Sequence, residues 1–197
     1  MRKLACILLP VLTLLSGCVS MESVNPLSSP RAAKADYRLE GMWRSKDDKS
    51  TSYLMLSYRK KGLGSLIYVS ADDSGAIDTL REDFFVTHTA AGDYLNLTNG
   101  VYAVDGKAHR DHPGPYTFAK YRFSWLGRLM TAGINSDSFV TAVQHGTLKG
   151  KLTRDNKGNV TNLLLTDSSA RILHFIESSK PGEIFAKETR FEKVGGK

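Results

Sequence analysis

The chain has 197 residues, with 27 Lys and Arg against 20 Asp and Glu, a formal net charge of +7, 41% apolar residues and two cysteines. That length allows one domain rather than two, and the apolar share is enough to bury a core, which excludes a wholly disordered chain. Two cysteines are too few for a disulfide-stapled miniprotein.

Met1-Arg2-Lys3 opens the chain and is followed by an apolar run from Leu4 to Leu15, broken only by Pro10 and Thr13. As a helix such a run reaches about 18 Å, short of the roughly 30 Å hydrocarbon core, so it predicts the core of a signal peptide and not a membrane span. Next comes Leu15-Ser16-Gly17-Cys18. These four residues resemble the lipobox of bacterial lipoproteins. The resemblance implies cleavage before Cys18, a diacylglyceryl thioether on its sulfur and acylation of the freed amine. Residues 1–17 are then a signal peptide, and the mature chain is held to a lipid bilayer through acylated Cys18. Loss of Arg2 and Lys3 takes the net charge from +7 to +5. Cys6 leaves with the signal, so no free thiol remains for a disulfide, a metal or a nucleophile. Val19 is not the aspartate that retains such proteins at the inner membrane, so the resemblance places the protein at the outer membrane, on its periplasmic face.

From Val19 to Ala35 the chain shows no apolar period and contains Pro26 and Pro30. The expectation is a lipidated N-terminus and flexible tether over residues 18–35, and a β-rich globular domain over residues 36–197. Strand signals follow at Leu39–Arg44, Tyr53–Tyr58, Leu66–Val69, Asp83–Thr89 and Tyr94–Thr98. Tyr116–Trp125 alternates most cleanly, with Phe118 on one face and Tyr121, Phe123 and Trp125 on the other. Further strands are expected at Arg128–Ile134, Thr147–Leu152, Val160–Thr166 and Phe185–Val194. Turn residues separate them, among them Asp72-Asp73-Ser74-Gly75 and Ala91-Gly92-Asp93. Two segments read as helices: Asp137–His145, and Ser169–Ser178 with an apolar stripe of Ile172, Leu173, Phe175 and Ile176 behind a cap at Asp167 or Ser168.

So many hairpin-spaced strands must manage their edges, and closure does so. The fold class expected is mainly β, a single antiparallel barrel or a sandwich, with one or two short helices. Gly41-Met42-Trp43 resembles the Gly-X-Trp signature of lipocalins, and the late helix followed by a final strand resembles their layout. The resemblance implies an eight-stranded up-and-down barrel with the tryptophan across one end. The family's Thr-Asp-Tyr type motif is not matched by Gly92-Asp93-Tyr94.

His109-Arg110-Asp111-His112 is the densest polar group, and His109, Asp111 and His112 are the candidate metal ligands. Arg110 puts a positive charge among them, which favours a solvated loop over a metal site. No Gly-X-Ser-X-Gly elbow, phosphate loop or Ca²⁺ loop occurs. His88, His145 and His174 stand alone on or beside regular elements, and Glu82 and Asp83, being adjacent, point to opposite faces of a strand. Arg59-Lys60-Lys61 and the group Lys149, Lys151, Arg154 and Lys157 suit envelope phosphates or guarded strand edges better than nucleic acid. The expectation is a non-catalytic protein without a cofactor. It binds an apolar small molecule or lipid inside the barrel, with Trp43, Phe118, Tyr121, Phe123 and Trp125 facing the ligand. The alternative is a solid barrel that docks to an envelope protein. An interior volume below about 300 Å³ argues against a drug-sized ligand.

Overall fold

Alternation of apolar and polar residues along successive strands builds the wall of a barrel. The computed structural model describes residues 19–46, 50–60, 62–72, 77–98, 101–104, 107–110 and 115–195. Residues 1–18, with the expected signal and Cys18, the turn residues Asp73, Ser74 and Gly75, and Asp111 and His112 lie outside the described residues.

The strands are β1 (Ser20–Ser23), β2 (Gly41–Lys46), β3 (Ser50–Lys60), β4 (Leu63–Asp72), β5 (Ile77–His88), β6 (Asp93–Thr98), β7 (Val101–Val104), β8 (Lys107–Arg110), β9 (Tyr116–Phe123), β10 (Leu129–Gly133), β11 (Gly150–Arg154), β12 (Val160–Leu165) and β13 (Thr189–Lys193). The helices are α1 (Ser136–Gln144), α2 (Ser169–Ser178) and the single turn α3 (Pro181–Ile184). Eight strands close on themselves: β2, β3, β4, β5, β6, β9, β10 and β13 pair antiparallel in that order. Lys193↔Trp43 and Glu192↔Arg44 join β13 back to β2. The mainly-β expectation therefore resolves to a barrel and not a sandwich. The β7–β8 hairpin is inserted between β6 and β9, and α1, β11, β12, α2 and α3 between β10 and β13. Neither β7 nor β8 was expected from sequence, and the loop expected at His109-Arg110 begins instead inside β8.

Two cores lie on the two sides of the same wall. Leu54, Leu56, Leu66, Phe84, Val86, Leu95 and Leu129 fill the barrel interior with Trp43 and Tyr121. Outside it, Tyr94 and Phe118 point away from the barrel and pack with Leu163, Leu165, Phe139, Ile172 and Ile176 of the outer layer. Strands buried on both faces read as continuous apolar runs, which is why Phe84-Phe85-Val86 lacks alternation. In the outer layer α2 is capped by Ser168, whose side chain accepts from Arg171 N, and buries Ile172 and Ile176. Phe175 meets Phe139 of α1 at 5.2 Å between ring centres.

The expected flexible tether is overturned by its packing. β1 pairs parallel with β12, Val19 packs against the outer core, and Leu27 is buried. Residues 24–40 then strap the outside of the barrel from one end to the other. Hydrogen bonds rather than apolar periodicity hold this strap: Leu27 N donates to Asn96 Oδ1 at 2.7 Å, Asn96 Nδ2 donates to Thr87 Oγ1 at 2.8 Å, and the Ser28 and Thr87 hydroxyls pair at 2.6 Å. Gly62, at φ +78°, lets the β3–β4 turn meet the strap, since a Cβ there would lie 2.5 Å from the Ala33 carbonyl oxygen. Asn96→Ala strands the buried Leu27 N–H, and about 2 kcal/mol of stability should be lost in urea unfolding. An unchanged midpoint would show that the strap does not depend on this bond.

Candidate functional site

The barrel has one closed and one hollow end. At the closed end a 3₁₀ turn, Tyr37–Leu39, inserts the fully buried Leu39. Trp43 crosses this end, donates its Nε1–H to the Leu39 carbonyl at 2.8 Å, and lies 5.9 Å from Phe123. Lys193 Nζ sits 5.3 Å from the Trp43 ring centre. Asp36 accepts from Arg38 Nε at 2.8 Å, from the Arg38 terminal nitrogen at 2.7 Å and from the Tyr121 hydroxyl at 2.9 Å. Burial alone would raise the Asp36 pKa, but the hydrogen bonds from Arg38 and Tyr121 outweigh it and hold the carboxyl below its usual value. Burial, then the facing Asp36 carboxylate, push the Tyr121 hydroxyl well up. These groups satisfy one another and close the barrel.

Toward the other end the interior holds a cavity of about 240 Å³. Its apolar walls come from Leu54, Leu66, Leu80, Leu95, Leu97 and Phe191. Polar side chains enter at Tyr68, Thr131, Thr189 and Glu82. The Tyr68 hydroxyl pairs with Ser52 Oγ at 2.9 Å, and Thr131 and Thr189 are cross-strand neighbours. Glu82 differs from these. It lies on β5 in phase with the inward Phe84 and Val86, opposite Leu66, and is 7% exposed. Its carboxyl faces the cavity and makes no hydrogen bond or ion pair among the described residues. Burial pushes its pKa up to about 7. Asp83, its neighbour, points outward to Arg59.

None of the five aromatic residues expected to face a ligand lines this cavity. Trp43, Tyr121 and Phe123 belong to the closed end. Phe118 packs in the outer core, because β9 is covered on both faces and its outward side is buried too. Trp125 lies beyond the end of β9, in the turn to β10, and is 92% exposed. In the sequence Glu82 reads as one of two adjacent carboxylates. Its even spacing from Phe84 and Val86 is the signal that sets it on an inward face.

Outside the barrel, shallow depressions of about 480 and 380 Å³ lie along the helical layer, with His145 in the first and His174 in the second. His88 Nδ1 pairs with Asp93 Oδ1 at 2.8 Å. Among the described residues no three His, Cys, Asp or Glu side chains converge as metal ligands. Of the sequence candidates, His109 lies on β8, its side chain outside what is described, as are Asp111 and His112. No described helix is long and apolar enough to cross a membrane. The fold and cavity define a β-barrel domain of the kind that can enclose a small ligand. Comparison with protein-family models, curated proteins and solved structures finds no match to this chain.

Proposed function

We propose that the protein is a lipid-anchored envelope protein whose barrel binds a small amphiphile, its apolar body among the leucines and an amine-type head on Glu82. The observation that carries this reading is a buried carboxylate without a partner among the described residues, in a cavity walled mostly by apolar side chains. Such a group is costly unless paired, and an ammonium or other N–H donor supplies the missing partner. The volume, about 240 Å³, argues against a drug-sized ligand and favours a short chain. The anchor on Cys18 and the outer-membrane address rest on the lipobox resemblance. The eight-stranded closure and the tryptophan across one end support the lipocalin-like comparison at the level of architecture.

Titration calorimetry with n-octylamine and n-octanol tests the site. The amine should bind more tightly than the alcohol. Glu82→Gln should weaken the amine by about 10- to 100-fold, the worth of one charge-assisted hydrogen bond, and leave the alcohol nearly unchanged. Equal binding of both probes to both proteins would remove Glu82 from the reading.

A further inference from the structure

We propose that the closed end of the barrel, led by Trp125 and Leu126, rests in the headgroup layer of the same bilayer that holds the lipid on Cys18. The proposal builds on the lipid-anchor reading and goes beyond it by assigning the face that meets the membrane.

Three observations converge on that end. First, the β9–β10 turn holds its two central residues outward. Gly127 N donates to the Ser124 carbonyl at 2.9 Å, Ser124 N to the Arg128 carbonyl at 2.9 Å, and Gly127 takes φ +71°. Trp125 and Leu126 are thereby 92% and 50% exposed at the apex of a fixed hairpin. A tryptophan, with an apolar ring and one N–H, suits the boundary between acyl chains and water. Second, other exposed apolar side chains share this end. Val194 N donates to the Met42 carbonyl at 2.8 Å, and Val194, Met42 and Tyr37 are 43%, 37% and 70% exposed. Arg128, ion-paired with Glu192 at 3.2 Å, and Lys193, whose Nζ lies over Trp43, flank them and bring positive charge to this end. At the opposite end, among the described residues, Ile77 is followed by Asp78, and Leu80, 39% exposed, lines the cavity.

Third, the chain arrives from this side with no slack. Ser23 pairs antiparallel with Tyr116, so the chain before it runs toward the end at which β9 finishes. β1 leaves β9 at that bridge, because Ala119 to Tyr121 already pair with β6 and β10, and runs beside β12 in the outer layer. Val19 packs against the outer core and is bonded to Cys18. With no tether between them, a lipid on Cys18 holds the domain against the bilayer, and some face must meet it. The hollow end then faces the aqueous phase, and the cavity is filled from water and not from the membrane.

The test uses the full chain in vesicles of phosphatidylethanolamine and phosphatidylglycerol, with and without acyl chains brominated near the headgroup. The chain has two tryptophans, and Trp43 is 2% exposed inside the barrel. Bromination should therefore quench about half of the emission, and Trp125→Phe should abolish the quenching. Flotation separates the two readings. A chain that floats without Trp125 quenching keeps its anchor and overturns the docking face, and so does Trp125 emission that shifts with protein concentration alone, which points to a second copy. A chain that does not float overturns both.

Discussion

Trp43→Ala is expected to lower the unfolding free energy by about 3–5 kcal/mol, and Trp125→Ala to leave it within about 0.5 kcal/mol. One residue type thus serves as its own control at two sites. Trp43 is 2% exposed and Trp125 92% exposed. Truncation of Trp43 opens a void where β2, the Tyr37–Leu39 turn and Phe123 meet, and strands the Leu39 carbonyl. It also removes the ring beneath Lys193, where β13 closes against β2. Closure is cooperative around a ring of strands, so the loss at this seam is felt by the whole barrel. In thermal unfolding the drop should be roughly 10 °C for a chain of this size. A Trp43→Ala protein with wild-type urea midpoint would mean that the plug is dispensable and that the barrel is closed by its backbone ladder alone.

The contrast between these tryptophans also marks where the sequence was legible. Alternation in β9 placed Tyr121 and Phe123 together on one face, and the structure puts both in the barrel core. Period two separates faces but does not say which face is inside. On β9 both are covered, so Phe118 was as apolar as an interior residue while lying outside the barrel. The alternation continues two residues past the end of β9, to Trp125, although Ser124 to Gly127 form the turn. Helix α2 was readable to the residue because its cap and its Ile172 and Ile176 stripe are local signals. The strap was not. Its order comes from Asn96, 69 residues away from Leu27, and a contact of that range leaves no trace in local composition. Glu82 shows the same limit from the other side. Its inward phase is local, but its lack of a partner is a property of the assembled barrel.

That isolated carboxylate makes stability depend on pH in a way that can be read directly. The ordinary Glu pKa of 4.5 is raised to about 7 by burial, so the folded protein binds a proton that the unfolded chain releases. Stability from this group is complete below about pH 4.5 and is lost as pH rises toward 7, to a limit of about 3 kcal/mol. Asp36 and Asp167 have lowered pKa values, so their contributions fall away only at the acid end, below this window. Glu82→Gln keeps the shape and removes the charge. The variant should match the wild type near pH 4.5, be more stable by up to about 3 kcal/mol at pH 8, and show a flat urea midpoint between. Parallel curves for the two proteins would show that Glu82 is not desolvated and would take away the physical reason for a cationic ligand. Added n-octylamine supplies the converse: with its ammonium against the carboxylate, ionised Glu82 becomes the favoured form. The wild type should then gain more from the amine at pH 8 than at pH 5, while the Gln variant gains little at either.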